Sequence, residues 1–193
     1  MNNNIKKNNK MDREFDLIEI IEQKDNVVTS SVYTKKNIKE VEEKLRQMFV
    51  PIRFDLHNVM DLLPQTYNIK YPACIISFVG RNSEIRSKAR NEIMERIKQN
   101  QILYGILIFK RIDVKDNSPL SKEKLIGSKA WVNLLLSKNI SSNSFFLDDS
   151  IDHIRSTSSL KIPNLTTIQI HKLKHLEDTI QSIYEKLDNS LEK

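Results

Sequence analysis

At 193 residues, with 39% hydrophobic and 29% charged side chains, the chain is long enough to bury a core without disulfides or structural metals. The lone Cys74 excludes an internal disulfide and a cysteine-based zinc site, and no apolar run approaches the roughly 20 residues of a membrane span. The formal charge of +6 invites a nucleic-acid partner, but Lys6, Lys7 and Lys10 carry three of those charges in a stretch without acid, leaving a body of only +3.

Residues 1–11 carry lysines but no apolar h-region, so they read as a disordered tail and not as a signal peptide, and the expected location is the cytoplasm. Residues 12–193 read as one domain. Residues 14–34 admit two readings: Asp25-Asn26 between apolar pairs suits a hairpin, and Leu17, Ile18, Ile20 and Ile21 also suit a helix; the hairpin is preferred. In residues 37–48, Ile38, Val41, Leu45 and Met48 recur at three and four, which predicts an amphipathic helix. Pro51 then opens a strand that ends at Asp55. A second strand is predicted over 71–79 and a helix over 82–99, capped by Asn82 or Ser83; a third strand follows over 102–109. That helix carries a mixed stripe, Arg81, Arg86, Lys88, Arg90, Arg96 and Lys98 among Glu84, Glu92 and Glu95, which reads as a solvated face before a nucleic-acid surface.

A polar connection over 111–124 leads to Gly127-Ser128-Lys129, where a helix carrying Trp131, Leu134 and Leu135 is expected to begin. Strands at 145–147 and 166–170 and a terminal helix over Leu173, Leu176, Ile180, Ile183 and Leu187 complete the order. Alternating strands and helices predict an α/β three-layer sandwich with a mostly parallel central sheet.

The chemistry concentrates at strand ends. Phe145-Phe146-Leu147 runs into Asp148-Asp149-Ser150-Ile151-Asp152, and the strand over 50–54 runs into Asp55. Carboxylates gathered this closely repel one another unless a cation neutralises them, and ligands of open α/β sheets collect beyond the carboxyl ends of the strands. By themselves, the three acids after Leu147 suit equally the start of a loop or helix, where the amino-terminal dipole favours Asp. Ser77 alone suits a strand-end turn, and Lys129 alone a surface charge.

Four features stand in order: Phe54-Asp55-Leu56-His57-Asn58-Val59, Ile75-Ile76-Ser77, Lys129, and Leu147-Asp148-Asp149 with Asp152. Together, over about residues 50–155, they resemble the four motifs of the haloacid dehalogenase-like phosphatase superfamily. The resemblance implies a nucleophile at Asp55 that forms an aspartyl-phosphate. It implies magnesium held by Asp55, the backbone carbonyl of His57, Asp148, and Asp149 or Asp152. Ser77 would donate to a phosphoryl oxygen, and Lys129 would offset the charge of nucleophile and phosphate. Asp61 and His153 fill no position that this chemistry demands.

One position departs from the pattern. Two residues after the nucleophile the family's phosphatases commonly place an Asp that protonates the leaving group, and this chain has His57. Only 21 residues separate Asp55 from Ser77, which leaves no room for a large cap domain. A capless core is similar to those that act on macromolecular phosphoesters in preference to small metabolites, and Arg81 beside Ser77 is a candidate substrate contact. The expected function is a magnesium-dependent phosphohydrolase. The rivals are a noncatalytic binding or regulatory protein of the same fold and a nucleic-acid-binding module.

Overall fold

The computed structural model describes residues 15–80, 83–110 and 119–191. The tail over 1–11, Arg81 and the proposed cap Asn82 lie outside the described residues.

The chain opens with the hairpin preferred from its sequence, β1 (Leu17–Lys24) and β2 (Val27–Thr34), paired antiparallel from Lys24↔Val27 to Leu17↔Thr34. Asp25 and Asn26 form its two-residue turn with φ of 51° and 66°, left-handed values that Asp and Asn tolerate and that match the twist of a hairpin. Helix α1 (Ile38–Gln47) buries Val41 and Leu45, as its spacing predicts. Strand β3 (Ile52–Phe54) is only three residues long and buried throughout. Then come β4 (Ala73–Gly80), α2 (Ser83–Lys98), β5 (Tyr104–Lys110), α3 (Pro119–Leu136), β6 (Ser144–Asp148), α4 (Ile151–Ser159), β7 (Leu165–Gln169) and α5 (Leu173–Leu191).

The seven strands form one sheet in the order β2-β1-β5-β4-β3-β6-β7. The five from β5 to β7 run parallel, and the hairpin extends the β5 side antiparallel. After β3 the chain moves outward to β4 and β5, then returns to place β6 and β7 on the other side of β3. The order therefore reverses between β3 and β6, which makes their carboxyl ends a topological switch point. The architecture is the expected α/β sandwich, five helices around a mostly parallel sheet, with no separate cap domain among the described residues.

Two apolar layers hold it together. On one face Ile52, Phe54, Ala73, Ile75, Val79 and Leu107 meet Ile93 and Ile97 of α2 and Leu176, Ile180 and Ile183 of α5. On the other Ile18, Ile20, Cys74, Ile76, Ile106 and Ile108 meet Val41 and Leu45 of α1 and Trp131, Val132 and Leu135 of α3. At Gly105 α2 packs close against the sheet, because a Cβ there would stand 2.2 Å from Ile93 Cγ2. No helix among the described residues is long and apolar enough to cross a membrane.

Two local readings need correction, at Lys129 and Ser77, and one left open, at the acidic cluster, is decided. Helix α3 starts at Pro119, whose missing N–H suits a first helical position, so Lys129 lies well inside the helix and not at its start. A helix, α4, follows the acidic cluster, with the Ser150 hydroxyl accepting the backbone N–H of His153 as its cap. Strand β4 continues to Gly80, so Ser77 is inside the strand and not at its end.

Candidate functional site

Strands β3 and β6 lie side by side, with Phe54 level with Leu147, and the N–H of Asp55 donates to the Leu147 carbonyl at 2.8 Å. This register brings Asp55 and Asp148 to one edge. Helix α3 crosses beneath them and delivers Lys129, which is fully buried. Its ammonium lies 2.8 Å from Asp55 Oδ1 and 2.7 Å from Asp148 Oδ2, and 5.6 Å from the ring centres of both Phe78 and Phe146. Lysine sits at the junction because its four-carbon stem can cross the apolar layer while its head meets two carboxylates.

Asp148 is pinned on both oxygens. Oδ1 accepts the Ser150 N–H at 2.9 Å, and Oδ2 faces His153 Nδ1 at 2.9 Å as well as Lys129. Asp149 is half-buried beside them. Its Oδ2 accepts from Asn58 Nδ2 at 3.1 Å, and its carbonyl accepts from Gln169 Nε2 at 3.2 Å. Asn58 reaches it from a left-handed backbone at φ 60°, in the turn where the Asp55 carbonyl accepts the Met60 N–H. Oxygens of Asp55, Asp148 and Asp149 lie within 4.8 Å of one another.

Three acids around one ammonium leave a negative excess, and the site's titration reflects it. Burial pushes Asp55 up to about 6, with Asp148 and Asp149 adding to the rise and Lys129 opposing it. Burial acts in the same sense on Asp148, yet Lys129 and His153 outweigh it and hold that carboxyl far below the usual range. Burial also works against the charge of Lys129, but Asp55 and Asp148 keep its pKa above the ordinary value, so it stays an ammonium and is no nucleophile. Asp149 adds to the rise of Asp55 because their carboxylate oxygens converge within 4.8 Å. Two carboxyls so placed need a shared proton or a cation between them. The donor set of hard oxygens, with excess negative charge, fits a divalent ion such as magnesium.

The other residues singled out from the sequence are placed differently. Asp152 is exposed on the first turn of α4 and is not among the three acids whose oxygens converge. His57 is exposed in the turn after β3. Ser77 is buried, and its hydroxyl donates to the Phe78 carbonyl at 3.4 Å. Along β4, Ala73, Ile75 and Val79 face α2 and α5 while Cys74, Ile76 and Phe78 face α1 and α3. Alternation therefore turns Ser77 to the first face, away from the side from which Lys129 enters. Four cations of the α2 stripe, Arg86, Arg90, Arg96 and Lys98, meet partners within the protein. Arg90 is hydrogen-bonded to the buried Glu19 of β1, with Arg86 3.9 Å from it; Arg96 donates to Gln101 and the Leu63 carbonyl, and Lys98 pairs with Glu95.

Sequence reasoning gave Asn58 no role of its own and left His153, which adjoins the acidic cluster, outside the site. Asn58 carries a usable signal, since Asn is the residue that takes left-handed backbone next to a strand-end acid. The contact of His153 with Asp148 could have been found only by recognising α4, because its first turn is what folds the ring back onto Asp148.

No family model, no curated protein and no solved structure matches this chain.

Proposed function

We propose that the protein is a magnesium-dependent phosphohydrolase of the haloacid dehalogenase-like kind. The observation that carries this reading is the buried Lys129 ammonium between Asp55 and Asp148 at the switch point of the sheet, with Asp149 alongside. Asp55, Asp148 and Asp149 would hold the ion, which supplies charge neutralisation for an incoming phosphoryl group. Asp55, freed of its proton, attacks phosphorus through one oxygen as the bond to the leaving oxygen breaks, giving an aspartyl-phosphate and an alcohol or phenol that takes up a proton. Water then attacks phosphorus, and the acyl-phosphate P–O bond breaks to release inorganic phosphate and restore the carboxylate. Lys129 stays protonated throughout and offsets charge on Asp55 as the phosphoryl group arrives. With no separate cap domain among the described residues, we favour a phosphate carried on a macromolecule as substrate.

A second reading is supported by the same geometry. His57 stands where the resemblance calls for an acid, and Ser77 turns to the other face, so two helpers of turnover are out of place. A noncatalytic protein that keeps the cation site fits those two facts. The deciding experiment mixes the protein with magnesium and an aryl phosphate and follows phenol release. A magnesium-dependent burst that disappears in Asp55→Asn supports the hydrolase; magnesium binding without any burst supports the noncatalytic protein. Loss of both activity and magnesium binding in the wild type would defeat the first reading. Steep salt dependence of binding to single- or double-stranded DNA would instead favour a nucleic-acid module.

A further inference from the structure

The helix after the acidic cluster gives His153 a place that its sequence position hides. Ser150 caps α4, and His153 is the third residue of its first turn, where the ring swings back toward β6. Its Nδ1 comes to 2.9 Å from Asp148 Oδ2, and its ring stands edge-on to Phe78, with centres 5.1 Å apart. Asp152, one residue earlier, points out to solvent. Asp148 is fully buried and ion-paired with Lys129, so it is ionised and can only accept; Nδ1 therefore carries the hydrogen. Three donors from three places then fix one carboxylate: the Ser150 N–H on Oδ1, and Lys129 and His153 on Oδ2.

We propose that His153 is a positioning residue for the cation site, orienting Asp148 through the Nδ1–H···Oδ2 bond so that its remaining acceptor capacity faces Asp55 and Asp149. The inference rests on the metal-site reading above and deepens it. His153 is not itself a ligand of that site, since its nitrogens are not among the converging atoms of Asp55, Asp148 and Asp149. A donor behind a ligating carboxylate holds the ligand's angle, and its loss typically weakens metal binding by about 10–100-fold. Without it, Oδ2 would be held by Lys129 alone, and the carboxylate could follow the flexible lysine stem.

The test is magnesium affinity of the full chain by titration calorimetry, with folded fraction checked by circular dichroism. His153→Leu keeps apolar bulk against Phe78 but removes the donor; His153→Asn places Nδ2 where Nδ1 stood. We expect His153→Leu to bind magnesium about 10–100-fold more weakly and His153→Asn to recover most of that loss. A purely structural role would lower the unfolding midpoint without magnesium and leave the affinity of the folded protein unchanged. Equal affinity in wild type and His153→Leu, or a loss that His153→Asn does not recover, overturns the assignment of His153 and leaves the metal site standing. A wild type that binds no magnesium overturns both.

Discussion

Among the described residues two cations, Lys129 and Arg53, are buried completely, and the same strand and helix bring both inside. Lys129 on α3 meets two carboxylates within 2.8 Å. Arg53 on β3, two residues before Asp55, meets none. Its Nε donates to the Val50 carbonyl at 3.1 Å and its Nη1 to the Asn133 carbonyl, the Asn133 side chain and Ser137 Oγ at 3.2, 3.4 and 2.8 Å, while Nη2 has no hydrogen-bond partner. Burial works against both charges, yet the two shift in opposite net directions. It draws Arg53 down to about 10, whereas the flanking acids carry Lys129 above its ordinary value. The difference teaches what each charge is for. Neutral acceptors are enough for a guanidinium that ties a strand to a helix, and an ammonium surrounded by excess carboxylates belongs to a site built to handle charge.

The comparison can be broken most directly by removing each cation. Lys129→Met leaves three crowded acids without their internal counterion, and we expect it to cost about 3–5 kcal/mol in urea unfolding at pH 7.5 without divalent ions. Magnesium should return part of that loss, and it should stabilise the wild type by about 2.7 kcal/mol at a hundred times its Kd, an increment absent in Asp148→Asn. A Lys129→Met protein as stable as wild type would remove the electrostatic argument for the site.

The pH profile sharpens the contrast. Asp55 is raised from its ordinary 3.8 to about 6, so its favourable contribution is present below pH 4 and is lost as pH rises through about 6. Asp148 is lowered, so its contribution is present above its ordinary 3.8 and is lost only on further acidification. Wild type should therefore lose about 2–3 kcal/mol of the Asp55 contribution between pH 4 and 7, a decline missing from Asp55→Asn. Arg53→Met should keep the decline, because Arg53 holds its charge across that window. Unfolding midpoints of the three proteins at each pH check the prediction.

Arg53→Met itself should cost no more than about 2 kcal/mol, with no response to magnesium, since it removes a desolvated charge together with hydrogen bonds to neutral groups. An equal loss in Arg53→Met and Lys129→Met would erase the distinction between them. The smallest effect concerns His57. If its exposed ring is a weak substitute for a leaving-group acid, aryl phosphates should be hydrolysed faster than alkyl phosphates, and His57→Asp should raise the alkyl-to-aryl rate ratio. A ratio that falls in His57→Asp would make His57 the working acid.

Much of this contrast was open to a reader of the sequence on the lysine side and closed on the arginine side. Asp55 and Asp148 end short apolar runs, and strand ends are where α/β sheets gather ligands, so their meeting could be anticipated. Asp25-Asn26 likewise announced the hairpin through its backbone tolerance. The start of α3 was hidden because Ser121-Lys122-Glu123-Lys124 reads as a polar connection until the apolar residues beyond it are counted. α4 was hidden because Asp and Ser suit loops and caps alike, and its first turn is what separates His153 from Asp152. The place of Ser77 within its strand was less legible, because where β4 ends depends on its pairing with β5, which runs on to Gly80. Arg53 gave no signal at all, since apart from the nearby Val50 carbonyl its partners are Asn133 on α3 and Ser137 just past it, 80 and 84 residues away.

The brevity of β3 carries a consequence for how the molecule comes to fold. Three residues pair with β4 on one side and β6 on the other, and the groups they align are distant along the chain: Lys129 is 74 residues from Asp55, and Asp149 is 91 from Asn58. Contacts of such separation form late and slowly, after loop-closure entropy has been met by the local hairpin and helices. We therefore expect Asp55 to stay in water, ionised and unpaired, until β6 docks, with its desolvation in the last stretch of the folding reaction. Changes at Lys129 should then appear chiefly as faster unfolding with little change in the folding rate.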